Sequence, residues 1–319
     1  MGSLPFSIIF IRHHNNSIIF MTTLPTPVAN GRSPRRWFRG SLLPYIMIAP
    51  PLLLMTLLIF LPALQSIIRT LIVDADGQTG FSFSRYIAFF NDKISVSNLI
   101  FTFQIVLLTL ATIFLVCFPL SLYLRFAKGR IAGAVQILVL FPLFVPGIIL
   151  CYALIRFLGT RGTLETILSI VGITGYRTPY LKPEAIVIGL VWESIPFTVL
   201  VLTAGLGQIS DSLIECARDV GAGNWTIFRR IILPLIIRPL LIAFSLNFLG
   251  IFGAYTVPYL LGPAAPQMMG VYMQQTFGQY RRPDDAETQA VITFLICSMV
   301  GLLYVRTVAK QRIQQEESE

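Results

Sequence analysis

Two groups of side chains in this sequence could bind a charged solute or a charged partner. Glu193 is a lone carboxylate near the middle of an otherwise apolar segment. The second group lies between two long apolar segments and consists of Asp211, Glu215, Arg218, Asp219, Arg229 and Arg230. An ionisable group in an apolar segment is costly and faces a cavity or the interior of a helix bundle. A charged connection with strong order signals is typical of a functional loop.

No arrangement typical of an enzyme accompanies these residues. The sequence has no G-x-x-x-x-G-K-[ST] phosphate loop, no H-E-x-x-H and no G-x-S-x-G. The cysteines lack the spacing of metal ligands and are Cys117, Cys151, Cys216 and Cys297. The two histidines, His13 and His14, are interpreted as neither ligands nor catalysts. We therefore expect no catalytic residue, no metal and no cofactor, and we expect any ATP to be hydrolysed on a separate chain.

The composition is that of a membrane protein. Of the 319 residues, 55% are hydrophobic and 12% are charged. A membrane-spanning helix needs about 20 mainly apolar residues. Segments of this kind cover residues 42–68, 98–124, 132–155, 185–206, 235–261 and 288–305. The sequence therefore predicts an all-α integral membrane protein with six transmembrane helices.

The charged loop has its own helix signals. Ser212 and Glu215 have the spacing of a capping box, and Gly221 stands where a left-handed C-terminal cap would end a first helix. Residues 225–233 are predicted to form a second amphipathic helix, with Pro234 at the start of the next apolar segment.

This loop resembles a known signature. The pattern Glu-x-Ala-x-x-x-Gly, nine residues, then Ile-x-Leu-Pro is similar to the cytoplasmic loop of the permease subunits of type I ABC importers. The matching residues are Glu215, Ala217, Gly221, Ile231, Leu233 and Pro234. Cys216 stands where the family usually has alanine. The resemblance implies the six-helix, MetI-like permease bundle.

In that family the loop is a coupling helix that docks on a cytoplasmic ATPase. The resemblance therefore implies that Glu215, with Arg218 and Asp219 beside it, lies at the ATPase contact and that Trp225 and Phe228 pack the loop on its own bundle. The partners it implies are an ABC ATPase dimer, a second permease subunit, an external solute-binding protein and membrane lipid. We expect no nucleic acid partner, because the basic residues sort by loop.

That sorting also predicts orientation in a bacterial inner membrane. If the N-terminus is cytoplasmic, 15 of the 24 lysines and arginines lie in inside segments and nine in outside segments. Basic residues are enriched on the cytoplasmic side of membrane proteins. Both termini and the Glu215 loop are therefore predicted to be cytoplasmic.

The chain is predicted to form one domain with two tails. Residues 1–41 form an N-terminal tail, residues 42–306 the permease domain with its coupling loop at 208–234, and residues 307–319 a C-terminal tail. Because residues 1–20 form a broken, weakly apolar stretch, we interpret Met21 as the biological start.

Local signals predict three further features. Pro142 and Pro146 predict a broken or bent third span, Thr163-Leu164-Glu165 a short helix in the following loop, and Asp76-Gly77 a turn.

A translocation path is predicted along the fourth and fifth spans. Its candidate residues are Trp192, Glu193, Asn247 and Tyr255. Glu193 could meet a cationic solute, or it could be a structural carboxylate bonded near the bend at Pro196. Asn247 and Tyr255 could line the path or join helices.

The run from Phe252 to Pro263, followed by Gln267-Met268-Met269, resembles permeases of the polyamine branch. This resemblance implies putrescine or spermidine as solute and favours a heterodimer over two identical copies. Iron, thiamine, sulfate and phosphonate importers use related permeases and remain alternatives. A self-sufficient secondary transporter and an intramembrane enzyme are the other classes, but no inverted repeat and no nucleophile–base pair is visible.

Overall fold

A computed structural model describes residues 43–75, 78–173 and 175–317. The predicted N-terminal tail, with Met21, His13 and His14, lies outside the described residues. The chain divides into two units, residues 1–59 and residues 60–319.

The described part of the first unit is an apolar helix. Helix α1 covers Leu43–Met55 and contains Pro50 and Pro51. A π-helical turn, Thr56–Phe60, follows it. The Thr56 hydroxyl donates a 2.8 Å hydrogen bond to the carbonyl oxygen of Leu52.

The described residues of the second unit form helices and one β-hairpin. The helices are α2 (Leu61–Leu71), α3 (Ser84–Asn91), α4 (Lys93–Phe126), α5 (Arg130–Leu140), α6 (Gly147–Leu158), α7 (Thr163–Ile170), α8 (Pro183–Gly207), α9 (Asp211–Asp219), α10 (Asn224–Ile227), α11 (Leu233–Phe252), α12 (Thr256–Leu261), α13 (Met269–Gly278) and α14 (Pro283–Glu317). Strands β1 (Ile72–Ala75) and β2 (Gln78–Phe81) pair antiparallel, with Ile72 opposite Phe81. The turn predicted at Asp76-Gly77 lies between them, outside the described residues.

Six helices among the described residues are long and apolar enough to cross a membrane. They cover Tyr45–Leu71, Lys93–Phe126, Gly147–Ile170, Pro183–Gly207, Asn224–Phe252 and Pro283–Thr307. The predicted all-α class and the number of spans are confirmed. The predicted bounds of two spans were wrong. The third span covers Gly147–Ile170 instead of residues 132–155, and the fifth begins at Asn224 and ends at Phe252 instead of covering 235–261. Gly253 ends α11, and residues 256–261 form the separate helix α12.

The third apolar segment is broken, as its two prolines predicted. Helix α5 ends at Leu140, a short 3-10 turn covers Phe141–Phe144, and α6 begins at Gly147 after Pro146. A proline cannot donate an intrahelical hydrogen bond, and the residue before it avoids helical geometry. The short helix predicted at Thr163 is also present as α7.

The core of the second unit lies between α4, α8 and α11. Ile113 and Cys117 of α4 and Leu202 of α8 are fully buried. Aromatic rings line the α4–α11 contact, where Phe103 meets Phe252 edge to face at 5.2 Å. Large apolar side chains elsewhere on the helices are exposed, as on α5 and α6. Exposed apolar surface on this scale is typical of contact with lipid or with another subunit.

Asp92 caps α4 at the end opposite α9. Its carboxylate accepts hydrogen bonds from the Ser95 hydroxyl at 2.6 Å and from the Ser95 backbone N–H at 3.0 Å. The hydroxyl hydrogen bond is the main reason that the pKa of Asp92 is lowered from its ordinary value. A carboxylate at a helix N-terminus satisfies amides that have no partner within the helix. The first turn of α4 is therefore well fixed.

Candidate coupling loop and candidate translocation cavity

The charged loop folds as the short helix α9 between α8 and α10. Ser210 is the N-cap residue in an extended conformation, and its side chain makes no capping hydrogen bond. The capping box predicted at Ser212 and Glu215 was wrong, because the helix already begins at Asp211. The Ser212 hydroxyl instead donates to the Ser210 hydroxyl oxygen at 3.2 Å. An aspartate in the first turn stabilises the helix N-terminus without that box.

Gly221 ends α9 in the way that the sequence predicted. Its φ is +84°, a conformation that L-residues with a Cβ rarely adopt. The Gly221 N–H donates to the Arg218 carbonyl at 2.8 Å, and the Ala222 N–H donates to the Ala217 carbonyl at 3.0 Å. This pair of hydrogen bonds is a Schellman motif. It turns the chain sharply from α9 toward α10.

Helix α9 buries one face and exposes the other. Ile214 is buried and Ala217 is half-buried in the main core. Glu215, Arg218 and Asp219 are exposed. The loop therefore presents charged side chains at the end of the bundle while its apolar side is held by the core.

The second amphipathic helix, predicted at 225–233, is not a separate element. Asn224–Ile227, a π-helical turn at Phe228–Ile232 and α11 run on without a break, so this segment is the start of the fifth span. Pro234 has no N–H to donate to the carbonyl of Arg230, and its ring would clash with that carbonyl in an α-helix. The wider π-helical turn accommodates the missing hydrogen bond and avoids the clash of the proline ring. Thr56–Phe60 precedes Pro62 in the same way.

The motif residues in this segment differ in exposure. Ile231 is half-buried, whereas Leu233 and Pro234 are exposed. Phe228 packs edge to face on Phe118 of α4, with ring centroids 6.0 Å apart. Trp225 stacks on Phe228 at 5.5 Å but is 70% exposed. Phe228 thus attaches the loop to the bundle, and Trp225 extends the exposed surface.

Sequence reasoning missed a residue that holds this loop in place. Arg125, near the end of α4, forms a salt bridge with Asp211, the first residue of α9, at 2.6 Å between Nη2 and Oδ1. Its guanidinium also donates to the carbonyl oxygens of Leu206 and Ile209 at 3.2 and 2.9 Å. From the sequence, Arg125 is only one of the 15 basic residues predicted to lie in inside segments. A basic residue at a helix C-terminus was the only available signal, and it does not identify a partner 86 residues away.

A cavity of about 590 Å³ lies between α8, the second half of α11 and α12. Its lining residues are Leu190, Glu193, Ser194, Phe197, Leu246, Asn247, Gly250, Ile251, Ala254, Tyr255, Thr256 and Val257. The structure therefore brings together three of the four residues predicted for a path, Glu193, Asn247 and Tyr255. Trp192 is half-buried and is not part of this lining.

Glu193 is exposed to this cavity, and its carboxylate lies beside the break in the third span. A Cβ built on Gly147 would lie 2.5 Å from Oε1 of Glu193. Gly147 is the first residue of α6. The absence of a side chain at residue 147 thus allows a carboxylate of α8 to approach the start of α6, where the helix dipole favours negative charge.

Asn247 joins α11 to α8 as well as lining the cavity. Its side-chain NH₂ donates to the Thr198 hydroxyl at 2.9 Å and to the Ala243 carbonyl at 2.8 Å. The Thr198 hydroxyl donates in turn to the Ser194 carbonyl at 2.8 Å. Asn247 therefore joins two helices, and its role in a translocation path stays a prediction. Buried hydrogen bonds of this kind fix the two helices relative to each other.

Tyr255 supplies an aromatic surface to the cavity. It lies between α11 and α12 and stacks on Tyr259, with ring centroids 5.2 Å apart and an interplanar angle of 17°. Both rings are exposed. A tyrosine face attracts cations, so Tyr255 and the carboxylate of Glu193 give the cavity two features that favour positive charge. Neither lysine nor arginine is among the lining residues.

Comparison with protein families gives one match that covers more than half of the chain. The family described as "Binding-protein-dependent transport system inner membrane component" matches residues 118–315. That range includes α9, the cavity-lining segments and the Glu215–Pro234 motif.

Curated relatives with sequence similarity are transport permeases. The spermidine/putrescine transport system permease protein PotB of Salmonella typhimurium (strain SL1344) is 27% identical over 258 residues, which cover 79% of this chain and 89% of the relative. PotB of Escherichia coli (strain K12) is 29% identical over 192 residues, with coverages of 59% and 69%. The trehalose/maltose transport system permease protein MalF of Thermococcus litoralis is 34% identical over 169 residues, with coverages of 52% and 56%.

Solved structures share the fold. A chain of a bacterial alginate ABC transporter, in complex with alginate pentasaccharide-bound periplasmic protein, superposes with a TM-score of 0.71 at 20% identity and covers 85% of this chain and 93% of its own length. A chain of the MetNI methionine ABC transporter in an inward-facing conformation has a TM-score of 0.51 at 21% identity and covers 67% of this chain and 94% of its own length.

Proposed function

The chain belongs to the family of inner membrane components of binding-protein-dependent transport systems, and from this premise we propose that it forms part of the path by which an ATP-driven importer passes a polyamine across the membrane. Membership confirms the family predicted from the Glu215–Pro234 motif. The chain is a multi-pass inner membrane permease for a small solute, a transport component rather than an enzyme. The solute, the coupling residues and the partners are the proposed parts.

The observation that carries the polyamine assignment is the cavity that holds Glu193. A diamine or triamine is a flexible chain of ammonium groups, and a carboxylate beside a tyrosine face offers charge attraction and a cation–π contact. Asn247 and Ser194 add polar groups to the lining of the same cavity. Similarity to PotB of two enteric bacteria supports this solute class.

Helix α9 is the proposed link to ATP hydrolysis on a separate chain. Its exposed residues Glu215, Arg218 and Asp219 would contact the ATPase, while Gly221 allows the turn that presents them. Ala217, Ile231, Leu233 and Pro234 hold the loop's shape in this proposal. The distribution of basic residues supports a cytoplasmic position for the loop and for both termini.

The position of α9 in the chain suggests how the movement would reach the solute. The loop connects α8, which carries Glu193, to the segment that continues into α11, which carries Asn247. A displacement of α9 would therefore pull on both walls of the cavity. Because the Asn247–Thr198 hydrogen bond joins these walls, they would respond together and open the cavity to one side at a time.

The remaining partners complete the path. A second permease subunit would complete the path, and the polyamine-branch resemblance favours a different chain over a second copy. An external solute-binding protein would deliver the polyamine, two ATPase subunits would close on ATP, and lipid would cover the apolar outer surface.

Purification of the tagged chain from its own cells in mild detergent, with partners identified by mass spectrometry, tests the importer assignment. We expect an ATPase, a second permease and a binding protein. A chain recovered alone that moves solute in proteoliposomes without ATP would identify a secondary transporter instead.

Uptake in proteoliposomes containing the purified complex tests the solute. Labelled putrescine and spermidine should be taken up with ATP, and excess unlabelled polyamine should compete. The similarity to the trehalose/maltose permease MalF favours a neutral sugar as the second candidate. Competition by maltose or trehalose, without competition by polyamines, would select that candidate. Competition by thiamine, sulfate, phosphonate or iron would select one of the other solutes.

A further inference from the structure

We propose that Arg125 is a positioning residue that transmits movement of α9 into α4, and that α4 carries this movement to the opposite end of the second unit. The inference rests on the proposed function, since it assigns a path for the ATP-driven movement. It adds a residue outside the Glu215–Pro234 motif and outside the cavity lining.

The hydrogen bonds that Arg125 makes through its side chain with the described residues go to the end of α8, to Ile209 and to the start of α9. Nη2 of Arg125 is 2.6 Å from Oδ1 of Asp211 and 2.9 Å from the carbonyl oxygen of Ile209. Nε is 3.2 Å from the carbonyl oxygen of Leu206. The Arg125 side chain is 18% exposed and that of Asp211 66% exposed. Three oxygen atoms thus accept hydrogen bonds from the Arg125 guanidinium, which is largely shielded from solvent.

This arrangement joins two helix ends with opposite partial charges. Leu206 lies in the last turn of α8, where its carbonyl oxygen also accepts from the Ile209 N–H at 3.2 Å, and Asp211 opens α9. A cation stabilises a helix C-terminus, and arginine can hold several acceptors in fixed geometry. Charge-assisted hydrogen bonds are also stronger than neutral ones. A shift of α9 would therefore move the end of α4 with it.

Helix α4 reaches from this contact to the other end of the bundle. Its 34 residues run continuously through Pro119 and correspond to about 50 Å at the usual rise per residue. Most of its inward face is buried against α8 and α11. A helix held along its length in this way moves as a body more readily than it bends.

The far end of α4 holds the segment that leads into α13. Asn98 accepts a hydrogen bond from the Gln267 N–H at 2.8 Å through its side-chain oxygen. The Thr102 hydroxyl oxygen accepts one from the Met269 N–H, also at 2.8 Å. Asn98, Thr102 and Met269 are buried. Helix α4 therefore binds the α8–α9 connection at its C-terminal end and the start of α13 at its N-terminal end.

The step from α13 back to the cavity is short. A Cβ on Gly270 would lie 2.5 Å from the carbonyl oxygen of Ala254, so α13 packs closely on the turn between α11 and α12. Ala254 and Tyr255 line the cavity. Movement of α4 would thus reach the cavity wall through α13 as well as through α8 and α11.

Variants of the salt bridge in the purified complex test this path. We expect Arg125→Gln and Asp211→Asn to leave the ATPase bound and active but to lower the amount of solute moved per ATP. For Arg125→Gln this ratio should fall by roughly tenfold, as expected for loss of a charge-assisted interaction. Arg125→Lys should recover part of the ratio, because lysine can still meet Asp211. Lys128→Gln removes a charge from the same loop and is the matched control, with an unchanged ratio.

A second measurement reports on the path without transport. In the wild-type complex, a non-hydrolysable ATP analogue should change amide hydrogen exchange at residues 264–272. Arg125→Gln should abolish that change, whereas Lys128→Gln should keep it. Equal losses of ATPase and uptake in Arg125→Gln, loss of the bound ATPase, or a retained exchange response would each overturn the proposal. A wild-type complex without ATPase would instead overturn the proposed function and this inference with it.

Discussion

The carboxylate of Glu193 lies against the backbone of Gly147, 46 positions earlier in the sequence, where α6 begins after the break in the third span. A side chain at residue 147 would occupy the place of Oε1. The relationship links the broken helix to the position of the one carboxylate in the cavity lining.

Gly147→Ala should displace the carboxylate without unfolding the protein, because the end of a glutamate side chain can move. A displacement on the order of 1 Å should lower polyamine uptake by roughly tenfold. Gly133→Ala is the matched control, since a Cβ at this glycine of α5 meets no atom within 4 Å. Uptake and thermal stability are measured for both variants. If Gly147→Ala and Gly133→Ala had equal uptake, the contact between Gly147 and Glu193 would not be needed for transport.

Glu193→Gln should weaken uptake by removing the negative charge while keeping the shape of the side chain. Loss of a charge-assisted contact with an ammonium group should raise the KM for putrescine by roughly tenfold or more. Glu184→Gln, at an exposed glutamate in the first turn of α8, is the control and should leave KM unchanged. Full uptake by Glu193→Gln at normal expression would assign the carboxylate a structural role.

Glu215→Lys should uncouple transport from ATP hydrolysis because the charge at the proposed ATPase contact is reversed. The residue is exposed, so the chain should still insert and fold. We expect uptake to fall by at least roughly tenfold and the ATPase to be lost from the purified complex or to lose its response to solute. Glu184→Lys makes the same charge change at the other end of α8. Unchanged uptake would remove the coupling role of Glu215.

Gly221→Ala should destabilise the end of α9, because φ is +84° there. A Cβ in this conformation costs about 1 kcal/mol, and the strain should either lower the melting temperature or shift the loop. Gly207→Ala, at the last residue of α8, is the control: a Cβ there meets no atom within 4 Å. Thermal unfolding in detergent and the solute-to-ATP ratio are compared. If Gly221→Ala and Gly207→Ala had equal stability and coupling, the left-handed glycine at the end of α9 would not be required.

Local signals account for the parts of the fold that could be predicted. Each apolar segment needs only about 20 residues of suitable composition, and prolines or glycines act on the chain beside them, as at Pro146 and Gly221. The errors arose where two local signals competed. The Ser212–Glu215 spacing was correct for a capping box, but Ser210 took the N-cap position. Apolar composition continued past Gly253, although the helix ended there.

For the candidate cavity too, some residues could be predicted from local signals and others could not. Glu193 was found because its charge is unusual in an apolar segment, and Tyr255 because it is a polar side chain in the predicted fifth span. Trp192, adjacent to Glu193, was placed with them but is not among the lining residues; neighbours on a helix differ by about 100° in direction. Arg125 was missed because one arginine near a helix end has many possible partners.

The sequence by itself determined the class of protein, the number of spans, the break in the third apolar segment and the turn at Gly221, because these depend on hydropathy and backbone preferences within a few residues. Only the tertiary structure decided that Arg125 reaches Asp211, that Glu193 meets Gly147 and that Asn247 bonds Thr198. These contacts join residues 46 to 86 positions apart, and they depend on how the helices pack against one another, which no local pattern specifies.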